Sequence, residues 1–358
     1  MRGILLFWLQ FKQLSMNNEW QIFLSDHSQV FDKLGTPDTD LDKTYLCNLA
    51  ELGLIKASGE DASSFLHGQF TNDLNLVGPT LSQLSSYCNP KGRMLAVFRV
   101  FKIDDDFYLI LRRDVLEAVL KKLTMFKLMA KVELTDVSDE LVLLGIAGPD
   151  SDSILKENKI SAPADVEHSI RENETTTIRI PSESSRLLFI CTPENAISIW
   201  KSLSEKTIQT NSIIWDLHNI HSGIAQVTAE TSEAFIPQMV NLELIGGVNF
   251  QKGCYPGQEI VARTHYLGKP NRRMYRINID TSTSPLSGTN IFSAKDGEQP
   301  VGKIVSAQNT TNNACDALAV LRTEKENDAE LHLESLTGPK VTTLKLPYSL
   351  ESDTTQDS

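Results

Sequence analysis

The densest grouping of reactive side chains is Lys252-Gly253-Cys254-Tyr255-Pro256-Gly257-Gln258-Glu259, continued by Ile260-Val261-Ala262-Arg263. Tyr255-Pro256-Gly257-Gln258 carries the proline and glycine placement of a type II turn, because only glycine takes the positive φ of the third position cheaply. The turn presents Cys254 beside it. If Gln258 to Thr264 continues as a helix, the thiol lies near its N-terminus; Lys252 close by favours the thiolate and Glu259 opposes it. Two readings stand together: a reactive cysteine, and a small thiol packed beside a tight turn.

Other groups offer less. Trp215, in Ile213-Ile214-Trp215-Asp216-Leu217-His218, is either a core filler or a flat platform for a heteroaromatic ligand. His218 and His221 have H-x-x-H spacing but no third ligand nearby, so they read as helix-surface histidines and no metal site is expected. Lys269-Pro270-Asn271-Arg272-Arg273-Met274-Tyr275-Arg276 concentrates positive charge, as a solvated hinge or as a seat for an anionic ligand tail or RNA backbone. Asn72-Asp73 and Lys91-Gly92-Arg93 fall at element ends, where caps, turns and ligand groups all occur. No dinucleotide, P-loop or zincin motif is present.

The elements that must position these groups follow from the pattern. Leu52-Gly53-Leu54-Ile55-Lys56 reads as a strand, and Ser58-Gly59-Glu60-Asp61 has capping-box form ahead of a helix reaching about Gln69. Met94 to Val100 and Phe107 to Leu111 read as strands joined by Asp104-Asp105-Asp106, followed by Leu116, Val119, Leu120 and Leu123 at helical spacing. The same order recurs: Leu187 to Ile190, then Cys191-Thr192-Pro193 into a helix bearing Ala196, Ile199, Trp200 and Leu203, with Leu141 to Pro149 as an apolar strand ended by Gly-Pro. Beyond residue 272, short alternating stretches (Met274 to Ile279, Val301 to Val305, Ala317 to Leu321) between Ser, Thr, Asn and Gly clusters predict a small β-barrel. The expected division is a partly ordered lead-in over 1–45, a first α+β unit over 46–136 completed by 235–270, a second over 137–234, a barrel over 271–350 and a solvated tail over 351–358.

With 358 residues the chain can bury a large core across two or three units. Its 34 basic against 46 acidic residues give a net charge of −12, which argues against a protein that coats nucleic acid. Five scattered cysteines (Cys47, Cys88, Cys191, Cys254, Cys315) without a CxxC indicate neither a zinc cluster, a disulfide framework nor a four-thiolate iron–sulfur site, and fit a reducing cytoplasm. The apolar run from Met1 to Phe11 is too short to span a bilayer and lacks a small-residue cleavage site, so neither secretion nor a membrane partner is expected; Met16 is a second candidate start.

Phe235-Ile236-Pro237-Gln238, Asn241-Leu242, Gly246-Gly247, the Lys252 to Glu259 string and Val261-Ala262-Arg263 together resemble the signature of the YgfZ family of folate-binding, tRNA-modifying proteins. That family is related to the glycine-cleavage T protein, an aminomethyltransferase, and to mitochondrial iron–sulfur assembly factors. Gly68-Gln69, Thr71-Asn72-Asp73, Asn89-Pro90-Lys91-Gly92-Arg93-Met94 and Leu346 to Leu350 extend the likeness over about residues 48–350. It implies two ferredoxin-like α+β units and a C-terminal β-barrel arranged as a ring, with the Cys254 loop facing the central cavity. It implies tetrahydrofolate or a one-carbon derivative as cofactor, Trp215 as one of two tryptophans at its site, and Leu52 where the second tryptophan is expected. Lys252, Tyr255, Gln258, Glu259 and Arg263 fall to the same site, the cations serving the glutamate tail and Arg263 orienting the loop.

The function this implies is a folate-dependent accessory factor supporting maturation or repair of iron–sulfur client proteins, with Cys254 as a redox or transfer thiol and an indirect effect on tRNA thiolation. The alternative is a one-carbon transferase like the T protein, for which Asp73 is the candidate carboxylate near the folate amine. A direct tRNA-binding module rests on the basic run alone.

Overall fold

The computed structural model describes residues 16–26, 39–266, 270–310, 314–328 and 330–350. The apolar run Met1 to Phe11, the lead-in stretch Gly35-Thr36-Pro37-Asp38, whose residue types read as a turn, Lys269 and the tail Glu351 to Ser358 lie outside the described residues.

Two antiparallel-dominated sheets pack face to face. The first has the order β3-β4-β5-β2-β6, from β2 (Leu52–Ser58), β3 (Gln83–Cys88), β4 (Met94–Ile103), β5 (Asp106–Arg112) and β6 (Glu133–Asp136). Its outer face is covered by α2 (Ala62–His67) and α3 (Arg113–Phe126), whose Phe65, Leu66, Val115 and Leu123 pack on Phe98, Val100 and Leu109. The second has the order β11-β1-β7-β10-β9-β8, from β1 (Tyr45–Asn48), β7 (Val142–Ala147), β8 (Ser169–Glu172), β9 (Thr175–Arg179), β10 (Arg186–Cys191) and β11 (Ile208–Thr210). Its outer face carries α1 (Met16–Asp26), α4 (Ser151–Glu157) and α5 (Pro193–Leu203). Between the sheets, Leu54, Phe101 and Ile110 meet Tyr45, Leu143, Leu188 and Trp215. Burial on both faces explains why β4 and β10 read as continuous apolar runs rather than alternating ones.

Several local expectations change. The capping box does not form: Ser58 ends β2, Asp61 occupies the N-cap position without a side-chain cap, and its carboxylate instead accepts from the Lys131 amide at 2.8 Å. Within the stretch read as lead-in, α1 buries Trp20 and Phe23 on the second sheet's outer core, with Trp20 edge-on to Trp200 at 5.6 Å. Strand β1, which opens the span assigned to the first unit, pairs antiparallel with β7 and parallel with β11 in the second sheet. The α5 start is as expected from its residues, with the Thr192 hydroxyl accepting from the Asn195 amide and Pro193 at the first turn.

The third unit is a closed six-stranded barrel in the order β12-β15-β14-β13-β16-β17, from β12 (Arg272–Ile279), β13 (Asn290–Ser293), β14 (Gly302–Thr310), β15 (Ala314–Arg322), β16 (Leu331–Leu333) and β17 (Lys340–Leu344). The mixed α+β fold with two sheets and a C-terminal barrel is thus the architecture. A shared core of Met94, Val97, Ile220, Phe235, Leu242, Val261, Met274 and Leu318 joins barrel and first sheet, and contains α6 (Ile213–His221), α7 (Gln258–Tyr266) and the segment between them.

Candidate functional site

Trp215 enters the space between the sheets from the first turn of α6. It can lie against β7 because position 145 is glycine: a Cβ there would stand 2.5 Å from the ring's Cε3 and Cζ3. The Arg186 guanidinium sits over the ring, 4.7 Å from its centroid, and donates to Asn219 Oδ1 at 2.8 Å and the Pro181 carbonyl at 2.8 Å. Trp215 is therefore only 4% exposed. It forms a wall, and of the two readings of its residue type, core filler and open platform, its burial matches the first.

That wall belongs to a cavity of about 540 Å³, counting its mouth, between the sheets and the chain at Ile224–Gln226. Leu52 and Trp215 both line it, so the two positions expected at one site do meet. The cations on its wall are ones the sequence reading did not select, Arg99 and Arg112. Arg99 is buried and committed to Glu167 and the Ser82 hydroxyl; burial lowers its pKa to about 9, which leaves it charged near neutrality. Arg112 is held loosely, 3.4 Å from Asp216 and 3.3 Å from Glu51, and its Nε is buried without a hydrogen-bond partner. Burial pushes the Asp216 carboxyl up to about 6, with Arg112 pulling against that shift. An arginine flanked on both sides by apolar strand residues, as Arg99 is within Met94–Phe101, was the available signal.

Cys254 stands elsewhere. Neither it nor Lys252, Tyr255, Gln258, Glu259, Arg263 or Asp73 lines the Trp215 cavity, so the loop does not share a wall with Trp215 and Leu52 as the resemblance implied. The type II turn forms as its residues require: Gly257 has φ +81°, and the Gln258 amide donates to the Tyr255 carbonyl at 3.2 Å. Cys254 is exposed and the other four cysteines are buried, which decides against a thiol packed away beside the turn. Gln258 is half-buried, and Glu259 and Arg263 are exposed on α7.

The motifs that carry the family likeness converge on this loop. A Cβ on Gly257 would stand 2.6 Å from Gly92 Cα, so the turn at Asn89–Arg93 and the Cys254 turn meet backbone to backbone. Asn89 Oδ1 shapes its own turn by accepting the Lys91 and Arg93 amides at 2.9 and 3.1 Å. Thr71 donates to the Gly247 carbonyl at 2.8 Å, and the Asn72 amide to the Leu84 and Gly246 carbonyls at 2.8 and 2.7 Å. Lys252 is buried beneath the loop; its ammonium donates to the His67 carbonyl and to the Phe70 carbonyl at 2.6 Å, and lies 5.0 Å from the Tyr255 ring centroid. Burial lowers its pKa to about 8, with Asp73 and Cys254 opposing. Asp73 caps the short turn Leu74–Leu76 by accepting from the Asn75 amide at 2.9 Å, and its Oδ1 lies 3.2 Å from His67 Nδ1.

The remaining candidates resolve structurally. His218 is buried, not on the helix surface, and its pKa is lowered to about 3 by burial, then by Arg186 and His221. His221 reaches the barrel, 2.7 Å from Asp316. In the basic run Arg273 is buried, 2.5 Å from Glu243, and donates to the Gln238 carbonyl at 2.9 Å, while Arg272 and Arg276 are half-buried. No helix among the described residues is long and apolar enough to cross a membrane.

The family model for the GCVT N-terminal domain matches residues 41–180. The aminomethyltransferase T of the glycine cleavage system from Bartonella henselae superposes with a TM-score of 0.72, covering 87% of this chain and 88% of that one at 14% identity. The fold is thus that of the glycine-cleavage T proteins. The tRNA-modifying protein YgfZ of Colwellia psychrerythraea is 30% identical over 315 residues, 87% of this chain and 95% of that protein. The YgfZ of Photobacterium profundum is 31% identical over 315 residues, 87% and 93% of the two chains. The chain belongs to the YgfZ family.

Proposed function

We propose that this protein binds a reduced folate in the Trp215 cavity and supports tRNA modification, through maturation or repair of iron–sulfur clients in the cytoplasm, with Cys254 as its working thiol. The observation that carries the binding site is Arg112, whose Nε is buried and unpartnered on the same wall as Trp215 and Leu52. A tetrahydrofolate joins a flat, largely apolar ring to a carboxylate tail. The cavity supplies apolar walls for the first and a loosely held guanidinium for the second. The bound folate would supply one-carbon chemistry; the chain's own residues bind it, orient its tail and exclude water. Leu52 offers a smaller apolar surface than the tryptophan expected there, which removes one stacking contact of about 1 kcal/mol.

The transferase alternative loses its residue, since Asp73 is engaged with Asn75 and His67 away from the cavity wall. A direct tRNA-binding role is weakened, since Arg273 of the basic run is buried in an ion pair and Arg272 and Arg276 are half-buried.

Calorimetric titration of tetrahydrofolate and its methylene and formyl derivatives into wild type, Arg112→Met and Cys254→Ser tests the binding site. Binding that weakens at least tenfold in Arg112→Met alone, about 1.4 kcal/mol, supports it; no binding by wild type overturns it. Rescue of an iron–sulfur enzyme in cells tests the client role. Cys254→Ser is expected to lose rescue, and equal rescue by that variant overturns the thiol's part.

A further inference from the structure

The end of α3 departs from the rest of the surface. Among the described residues nine large apolar side chains are exposed, and four of them, Met125 (66%), Phe126 (51%), Leu128 (84%) and Met129 (95%), fall within five consecutive positions. Single exposed apolar residues are ordinary, whereas a contiguous group marks a contact surface. The turn that displays them is pinned on both sides. A Cβ on Gly59 would run into the Lys131 carbonyl, the Lys131 amide donates to Asp61 at 2.8 Å, and the Lys127 ammonium donates to the Val132 carbonyl at 3.0 Å. Within it Leu128 has φ +45°, a conformation that favours glycine and strains a branched side chain. Folding recovers nothing from that leucine, because its side chain lies in solvent. A residue strained in its backbone and unused in the core points to a role outside the folded chain.

Charge surrounds the apolar turn. From Ala118 to Val132 the sequence holds Lys121, Lys122, Lys127 and Lys131 and no acidic residue, in a chain of net charge −12. Lys122 meets Glu233 at 3.6 Å and Lys131 meets Glu60 at 2.8 Å. These are surface pairs, which an incoming carboxylate can exchange at little cost. Lys122 also rims a groove of about 720 Å³, counting its open mouth, between α3 and the chain at Ser232-Glu233, with Leu95, Val115 and Val119 in its lining. Ala118, Lys122 and Met125 recur at i, i+4 and i+7, so groove and apolar turn lie along one face of α3.

We propose that this face docks an acidic protein segment, which seats an apolar side chain in the groove and against Met125–Met129 and sets Asp or Glu against the lysines. Methionine adapts its shape to an incoming side chain, and lysine belongs at the rim of such a contact. The same features disfavour other occupants. A second copy related by a two-fold axis would set lysine against lysine, a flat lipid surface would leave the groove unfilled, and a nucleic acid backbone would leave the apolar side chains uncovered. The groove shares no lining residue with the Trp215 cavity, so the docking role stands apart from the folate and thiol readings.

The probe is a phage-displayed library of random peptides panned on the full-length protein, the enriched sequences then being synthesised and titrated into wild type, Leu128→Asn, Met129→Ser and Lys121→Glu. Expected are sequences that combine Asp and Glu with Leu, Phe or Trp. Their affinity should fall at least tenfold in Leu128→Asn and Met129→Ser and at least threefold in Lys121→Glu, and should weaken with added salt. Asparagine tolerates the backbone conformation of Leu128, so Leu128→Asn should unfold no lower than wild type while losing the peptide. A variant that loses stability and binding together would make Leu128 a structural residue and overturn its part. No enrichment, enriched peptides without acidic residues, or affinities unchanged in all three variants overturn the proposal. Two further readings replace it with another occupant: a wild-type dimer in light scattering that dissociates in Met129→Ser assigns the face to a second copy, and flotation with vesicles of phosphatidylcholine and phosphatidylserine that is lost in Met129→Ser assigns it to a lipid surface.

Discussion

Gly145→Ala perturbs the Trp215 cavity without touching a polar group. Gly145 is the middle residue of β7, between Cys47 of β1 and Leu188 of β10. An added Cβ would stand 2.5 Å from two carbons of the Trp215 ring. Carbon pairs rest at about 3.5 Å or more, so the ring must withdraw by roughly 1 Å, and Arg186 over the ring resists that movement. Overpacking of this kind costs about 1–3 kcal/mol. Replacing glycine by alanine in a strand returns about 0.5–1 kcal/mol through the unfolded chain, which leaves a net loss of up to about 2.5 kcal/mol. Because Trp215 lines the cavity, its displacement also reshapes the site. Urea unfolding should give a lower midpoint at unchanged slope, and calorimetry should show tetrahydrofolate affinity at least tenfold weaker. A variant with wild-type midpoint and wild-type affinity would refute both the packing argument and the place of Trp215 in the site.

Other substitutions read different parts of the molecule. Arg112→Met should weaken tetrahydrofolate at least tenfold while changing the affinity of a pteridine lacking the glutamate tail by less than twofold, measured by competition calorimetry. Glu243→Ala leaves Arg273 buried without its carboxylate and should cost about 3 kcal/mol in urea unfolding. His218 is neutral in the folded protein, with a pKa of about 3 against 6.5 unfolded, so it removes stability as pH falls from about 6.5 towards 3, by up to about 1.4 kcal/mol per unit. Asp216 acts in the opposite sense, its folded pKa of about 6 lying above 3.8, so it adds stability as pH falls through that interval. In wild type the two offset each other between about pH 6 and 4; His218→Phe should remove the first effect, and its stability relative to wild type should rise steadily on acidification. A constant difference across that window would contradict the assignment.

Much of this architecture can be read in the residues because its signals are local. The turn at Tyr255–Gln258 follows from proline and glycine placement, α3 and α5 from helical spacing of apolar residues, and the barrel strands from alternation. What escapes is long-range. Nothing local in Tyr45–Asn48 says that it pairs with β7 across almost one hundred intervening residues rather than with its own neighbours. Arg99 and Arg112 look like ordinary charges at strand positions until the second sheet covers one of them and opens a cavity beside the other. The H-x-x-H pair was read as surface because the spacing is visible and the burial of His218 against Arg186 is not. The sequence points to Trp215, but the guanidinium over its ring comes from residue 186, on another element.

The thiol loop and the cavity share no lining residue, yet one hairpin serves both. Leu84 of β3 and Val97 and Arg99 of β4 line the cavity, while the turn at Asn89–Arg93 between those strands packs against Gly257 beside Cys254. Along β3, Leu84 to Asn89 spans about 17 Å at a strand's rise per residue. The strands are paired from Gln83–Val100 to Cys88–Met94, with one irregularity next to the turn. Two chemistries can therefore be held at fixed separation by a rigid element, and a substitution at either end can be interpreted on its own. This makes Arg112→Met and Cys254→Ser informative as a pair: folate binding lost in the first and kept in the second, with rescue lost in both, would mean that the thiol acts only in the folate-loaded protein.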